Sequence, residues 1–272
     1  MNVFIIALRE IKLGFRNPWA YSFLALFSFF SLALLLIQSQ SSLQGYTHTT
    51  GTMLNLILYL LPLMTLLLGS FAVTAEKEEG GWALLSTYSL STSSFLLGKF
   101  IGLFVVLAVI VAFGYGISGV LGALLGQGFT FSSLAFFFAF SLLVVFLFLG
   151  VAIWIGTLSR NRWQALTIGV SAWFIYIIGW STLLISVLGW LHYSLIKPAL
   201  IGLTFLNPAE LVRIFMVVKM GGGSIFGPEY YQWVTWIQSP WGVPIFILAC
   251  LLWVAIALGT AMLVWERGRR RG

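Results

Sequence analysis

Only 8% of the 272 residues are charged while 60% are hydrophobic, far from the roughly 25% charge of an ordinary soluble domain, so that class is excluded and one lipid-embedded domain is expected. The formal charge of +7 comes from basic residues that flank apolar runs and form no continuous stripe, which excludes a nucleic-acid-binding surface. Cys250 is the sole cysteine, so no disulfide can close within the chain.

The first 18 residues read as a separate element. Phe4, Ala7, Leu8, Ile11 and Phe15 share one helical face, with Arg9, Lys12 and Arg16 on an adjacent one. That pattern predicts a helix lying in the membrane interface, its cations near lipid headgroups. The rest, residues 19–272, predicts an all-α membrane protein domain with six transmembrane helices, since a crossing takes roughly 20 apolar residues. The spans are Trp19–Ile37, Met53–Ala75, Lys99–Leu125, Phe129–Leu158, Trp163–Trp190 and Trp241–Trp265. Several of these ends carry tryptophan, whose indole favours the interface. The first run starts after Arg16 and ends at Gln38-Ser39-Gln40 without a small-residue cleavage site, so it is expected to stay as an anchor.

Between the second and third spans, residues 76–98 carry Glu76, Glu78 and Glu79, then Gly80, Gly81, Trp82, Leu84 and Leu85. An acidic cluster followed by an apolar helical stretch would leave an unfavourable patch if uncovered, so a docking surface for a partner is inferred.

In the third span, Gly114-Tyr115-Gly116-Ile117-Ser118-Gly119 spells the dinucleotide fingerprint. No strand precedes it and no acidic residue follows at the required distance, so the letters do not make that site. Gly114, Ser118, Gly122 and Gly126 instead form a ladder spaced by four, which lets another helix approach closely in lipid.

After the fifth span comes a helical hairpin, residues 195–220. Its first arm is interrupted by Pro198. Its second opens with Asn207 as cap, Pro208 at the first helical position and Glu210 placed to complete a reciprocal cap, and Gly221-Gly222-Gly223 stops it. Arg213, three residues beyond Glu210, is expected to present a charge at this mouth, as part of a gate or a partner site.

Orientation follows from the basic residues. With the N-terminus inside, eleven of the 14 Lys and Arg face inward and only Lys197, Arg213 and Lys219 face outward. The positive-inside rule therefore puts both termini in the cytoplasm and the hairpin on the outer face of the cell membrane.

The chain lacks chemistry of its own. Gly98-Lys99 is followed by Phe100 and no aspartate occurs anywhere, so neither a P-loop nor a Mg²⁺-holding acid is present. His48, His192, Met216 and Met220 are too sparse for a metal site, and none is assigned. No set of paired acids or nucleophile and base suggests a membrane enzyme. No Glu, Lys or Arg falls deep in a proposed span, which disfavours an ion-coupled carrier or channel.

The sequence resembles the permeases of ABC-2-type transporters over nearly its whole length. The resemblance is carried by Arg16-Asn17-Pro18-Trp19, Glu76-x-Glu78-Glu79-Gly80-Gly81, Leu84-Leu85-Ser86-Thr87-Tyr88 and Leu96-Leu97-Gly98-Lys99-Phe100, and most tellingly by Leu206-Asn207-Pro208-Ala209-Glu210-Leu211-Val212-Arg213-Ile214. The last of these is similar to the subfamily that serves maturation of nitrous oxide reductase. Ser89 and Trp82 depart from the pattern, which often has Pro and a Thr-like residue there. The resemblance implies an ABC-2 exporter-like fold and a homodimer with a second copy of the chain. It also implies a cytoplasmic ABC ATPase subunit that holds the ATP and Mg²⁺, this chain binding no cofactor itself. For the subfamily it further implies a β-helical partner on the outer face and a sulfur-containing cargo for copper–sulfur centre assembly. The competing cargo within the family is a lipid, peptide or antibiotic.

Overall fold

The computed structural model describes residues 3–39, 48–80, 91–124 and 131–269, and no strand occurs among them. Gly81, Trp82, Leu84, Leu85 and Gly126 lie outside these residues.

The helices are α1 (Val3–Gly14), α2 (Pro18–Ser39), α3 (His48–Glu78), α4 (Thr92–Leu124) and α5 (Phe131–Leu158). The fifth span is α6 (Arg162–Trp173) and α7 (Trp180–Trp190), joined by a π-helical stretch, Phe174–Gly179. Then follow α8 (Tyr193–Leu206), α9 (Pro208–Lys219), α10 (Tyr231–Gln238) and α11 (Gly242–Arg269). Five helices are long and apolar enough to cross a membrane: α3, α4, α5, the α6–α7 unit and α11. The first predicted span coincides with α2, 22 residues long. The pair α8–α9 is bent by 106°, which makes it the predicted hairpin and not one straight crossing.

The bundle is built around α5. Leu147, Phe148, Leu149, Val151 and Ile153 are all buried, and they point to different sides of the helix because every side has a neighbour. Small residues set the distances. A Cβ on Gly156 would meet Val73 of α3 at 2.7 Å, and one on Gly69 of α3 would meet Ala152 of α5 at 2.6 Å, so these backbones lie closer than larger side chains would permit. Two rungs of the ladder on α4 meet α2. Gly114 lies against Phe27 of α2, and Ser118 Oγ donates to Ser31 Oγ at 2.7 Å. Tyr115 and Ser141 share a buried hydrogen bond of 2.9 Å that ties α4 to α5.

Two expectations need correction. The apolar face proposed for the first helix is divided. Ile6, Ala7, Glu10 and Gly14 of α1 are buried while Phe4 and Leu8 are exposed. The cause is a glycine pair that sequence analysis passed over. Gly98 and Gly102, one turn apart on α4, lie against Ile6 and against Ala7 and Glu10, so α1 docks on the bundle along one face and offers only the other to its surroundings. The π-helical stretch was also not anticipated. In the α6–α7 unit containing it 6% of the apolar stretch is buried, against 61–67% in α3, α4 and α5, so the fifth span packs along one side, on α3, and its own chain leaves most of its surface uncovered.

Candidate transmission site and outer hairpin

The run Glu76-Lys77-Glu78-Glu79 ends α3 and engages five other helices. Glu76 accepts Arg9 Nη1 of α1 at 3.0 Å and Lys99 Nζ of α4 at 3.3 Å. Lys99 also reaches Glu10 Oε2 of α1 at 2.8 Å and the Ala72 carbonyl at 3.0 Å. The Lys99 and Glu10 side chains are 1% and 5% exposed. An ion pair taken this far from water gains little net stability, but removing one member leaves an uncompensated buried charge. The cluster therefore fixes how α1, α3 and α4 sit against one another.

Lys77 and Glu78 serve the two helix ends that meet at the α5–α6 turn. Lys77 Nζ donates to the carbonyls of Gly156, Thr157 and Ser159 at 3.1, 2.6 and 2.8 Å, where α5 ends in unpaired acceptors. Glu78 Oε1 accepts the Arg162 backbone N–H at 2.7 Å, at the first turn of α6. A cation thus sits at the negative end of one helix dipole and an anion at the positive end of the next. Arg162 closes the arrangement with Nε to Glu78 at 3.0 Å and Nη2 to Glu79 at 3.2 Å. Asn161 caps α6 by accepting Gln164 N–H at 2.8 Å. Lys77 further lies over the Trp265 ring of α11 at 5.5 Å.

This corrects two sequence expectations. Glu76, Glu78 and Glu79 are not a free acidic patch, because each has a cation of the same chain as partner. Lys99, expected at the membrane surface, is buried. Glu10, Lys77, Lys99 and Arg162 were missed as site residues. The signal was available: in a chain with seven acids, three fall within four positions, and distant lone cations were never matched to them. Gly80, with φ +70°, adopts the left-handed conformation that glycine tolerates best and turns the chain out of α3.

The hairpin follows its local rules. Asn207 Oδ1 accepts the N–H of Ala209 at 2.9 Å and of Glu210 at 3.4 Å, and Pro208 takes the first helical position. Asn207 Nδ2 donates to the Tyr176 carbonyl at 2.7 Å, which fastens the hairpin break to the π-helical stretch of the fifth span. Trp253 Nε1 of α11 donates to the Phe205 carbonyl at 2.9 Å, near the end of α8. At the far end, Gly221 has φ +87° and Met220 N–H returns to the Met216 carbonyl at 3.0 Å.

Sequence analysis expected Glu210 to complete a reciprocal cap and Arg213 to present a charge here, and the structure differs. Glu210 turns forward to Arg213 Nη2 at 2.7 Å, with side chains 11% and 35% exposed. Leu211, Val212, Ile214, Phe215, Met216, Val217 and Val218 are all buried, because α9 folds into the bundle with Phe215 stacked on Phe246 of α11 at 3.7 Å. Arg213 is a partly enclosed residue and not a free surface charge.

The sequence that folds into this bundle matches a known family across nearly its whole length. The profile described as ABC-2 family transporter protein covers residues 4–268. The chain belongs to the ABC-2 transporter family. Two curated relatives bear the name "Probable ABC transporter permease protein NosY". The one from Stutzerimonas stutzeri is 29% identical over 98% of each chain. The one from Pseudomonas aeruginosa is 27% identical over 94% of this chain and 92% of that protein. This permease is therefore a NosY-like membrane subunit of an ABC transporter, and family membership implies an ATPase partner subunit.

Proposed function

We propose that this permease receives the motion of a separate cytoplasmic ATPase through the connection after Glu79 and passes it to the bundle through residues 76–79. The observation that carries the reading is that four consecutive residues at the base of that connection reach α1, α4, α5 and α6. A push delivered there acts on several helices at once. Both termini face the cytoplasm and the α8–α9 hairpin faces outward, a reading supported by the bias of basic residues. A second copy of the chain packs on the fifth span, which its own chain leaves largely uncovered. Asn207, Pro208, Glu210 and Arg213 shape the outer gate, where a β-helical partner docks. The cargo is a sulfur-containing species delivered for copper–sulfur centre assembly, as the resemblance of residues 206–214 to the maturation subfamily implies.

Docking is tested by co-purification with the ATPase. Replacing Leu84 and Leu85 together with Ser weakens its recovery while membrane insertion is unchanged, and unaltered recovery with full coupled activity refutes the assignment. Topology is tested with Lys219→Cys in a Cys250→Ala background. Lys219 is exposed and Cys250 is buried, so an impermeant thiol reagent added to intact cells labels the new cysteine. Labelling only after the inner face is opened overturns the orientation.

A further inference from the structure

A cavity of about 440 Å³ lies where the α1–α2 elbow meets the ends of α3 and α4. Arg9, Arg16, Lys99 and Arg162 line it from the cationic side, with Asn17 and Trp19 beside them. Its carboxylates are spoken for. Glu10 holds Lys99, Glu76 holds Arg9 and Lys99, and Glu79 holds Arg162. Arg16 takes part in none of the ion pairs among the described residues. The cavity thus keeps a guanidinium to spare, and Arg9 and Arg162, each about half exposed, retain donors that their partners do not fill.

The rim is apolar. Trp19 is half exposed and rests edge-on against Phe71 at 5.9 Å, and Leu13 is exposed beside it. Tryptophan at the end of a span marks the level of headgroups. A basic pocket between helices at that level, opening past apolar side chains, suits a molecule with a phosphate at one end and hydrocarbon at the other.

We propose that this cavity binds the headgroup of an anionic phospholipid. Arg16 grips the phosphodiester and Asn17 adds an amide, while the acyl chains leave past Trp19 and Leu13. The site joins α1 to the base of α3, so the lipid braces the same junction as the buried charges. The inference needs only that this end of the bundle lies at a membrane surface, and it stands whichever cargo or partner the transporter has.

The test is native mass spectrometry of the full-length chain in detergent, titrated with dioctanoyl phosphatidylglycerol, dioctanoyl phosphatidylcholine or glycerol phosphate. Phosphatidylglycerol is retained above phosphatidylcholine, and Arg16→Gln lowers its affinity about fivefold, the worth of one arginine near an anionic surface. Arg267→Gln, exposed at the same end but outside the cavity, changes nothing. Arg16→Lys, which keeps the charge without the planar fork, gives a smaller loss and serves if the glutamine variant does not fold. Equal retention of the two lipids, or no effect of either Arg16 variant, overturns the proposal. An equal loss with Arg267→Gln overturns it in favour of diffuse surface charge. Binding of glycerol phosphate as tight as that of the lipid overturns it in favour of a soluble phosphate site.

Discussion

The two ends of this bundle are held by different physics. At the charged end, residues far apart in sequence meet: Glu10 with Lys99, Lys77 with Thr157, and Glu78 with Arg162. At the hairpin end, the polar contacts are mostly local, with Asn207 capping its own helix and Glu210 pairing three residues on, and apolar packing does the rest. The difference teaches that the charged end records the arrangement of whole helices, whereas the hairpin is largely written in a dozen consecutive residues. One end therefore responds as a unit when any member is removed, and the other fails piece by piece.

The largest expected effect comes from Lys99→Met, which leaves Glu10 without its cation in a buried site. A loss of about 3–5 kcal/mol is expected, read as a lower midpoint of thermal unfolding in detergent. Adding Glu10→Gln recovers part of that loss, because the stranded charge goes with it. If the two losses simply add, the charged end is not a unit and the comparison breaks.

A smaller effect is expected at the hairpin. Asn207→Ala removes the cap, at about 1 kcal/mol, and leaves the Tyr176 carbonyl without its donor, at about 1–3 kcal/mol. Hydrogen exchange should quicken in the first turn of α9 and leave α1 and α4 unchanged. Exchange that also quickens at the charged end would show the two regions to be coupled.

The smallest stability effect belongs to Arg162→Gln. Both Arg162 and Glu79 are substantially exposed, so the cost is about 0–1 kcal/mol and shrinks as salt is added. Its consequence falls on coupling: the ATPase still binds, and transport per ATP hydrolysed declines. Undiminished transport would leave Arg162 a surface residue without a role in transmission.

The spans, the small-residue ladder and the hairpin were legible because each is a local pattern. Apolar runs, spacing by four, and Asn-Pro-x-Glu with a glycine stop carry their meaning within one helix or turn. The charged end was not, because nothing local says that Lys99 lies under α1 or that Arg162 sits beside Glu78. The exposed reading of Arg213 failed for a related reason: its pairing with Glu210 is local, but its partial enclosure follows from α9 folding into the bundle against α5 and α11. The π-helical stretch escaped because Phe174–Gly179 is as apolar as the turns around it.

The grip of Lys77 limits what evolution or engineering can place at that position. Three carbonyl oxygens converge on a single nitrogen, a tripod that a tetrahedral ammonium can meet with one proton for each leg. A guanidinium spreads its donors around a flat fork and cannot aim three of them at one point. Arginine, the customary stand-in for lysine, is thus a poor substitute here, and acetylation would spoil the tripod by leaving one N–H and no charge for three acceptors. Position 77 is specified by the shape of its proton donors as much as by its charge.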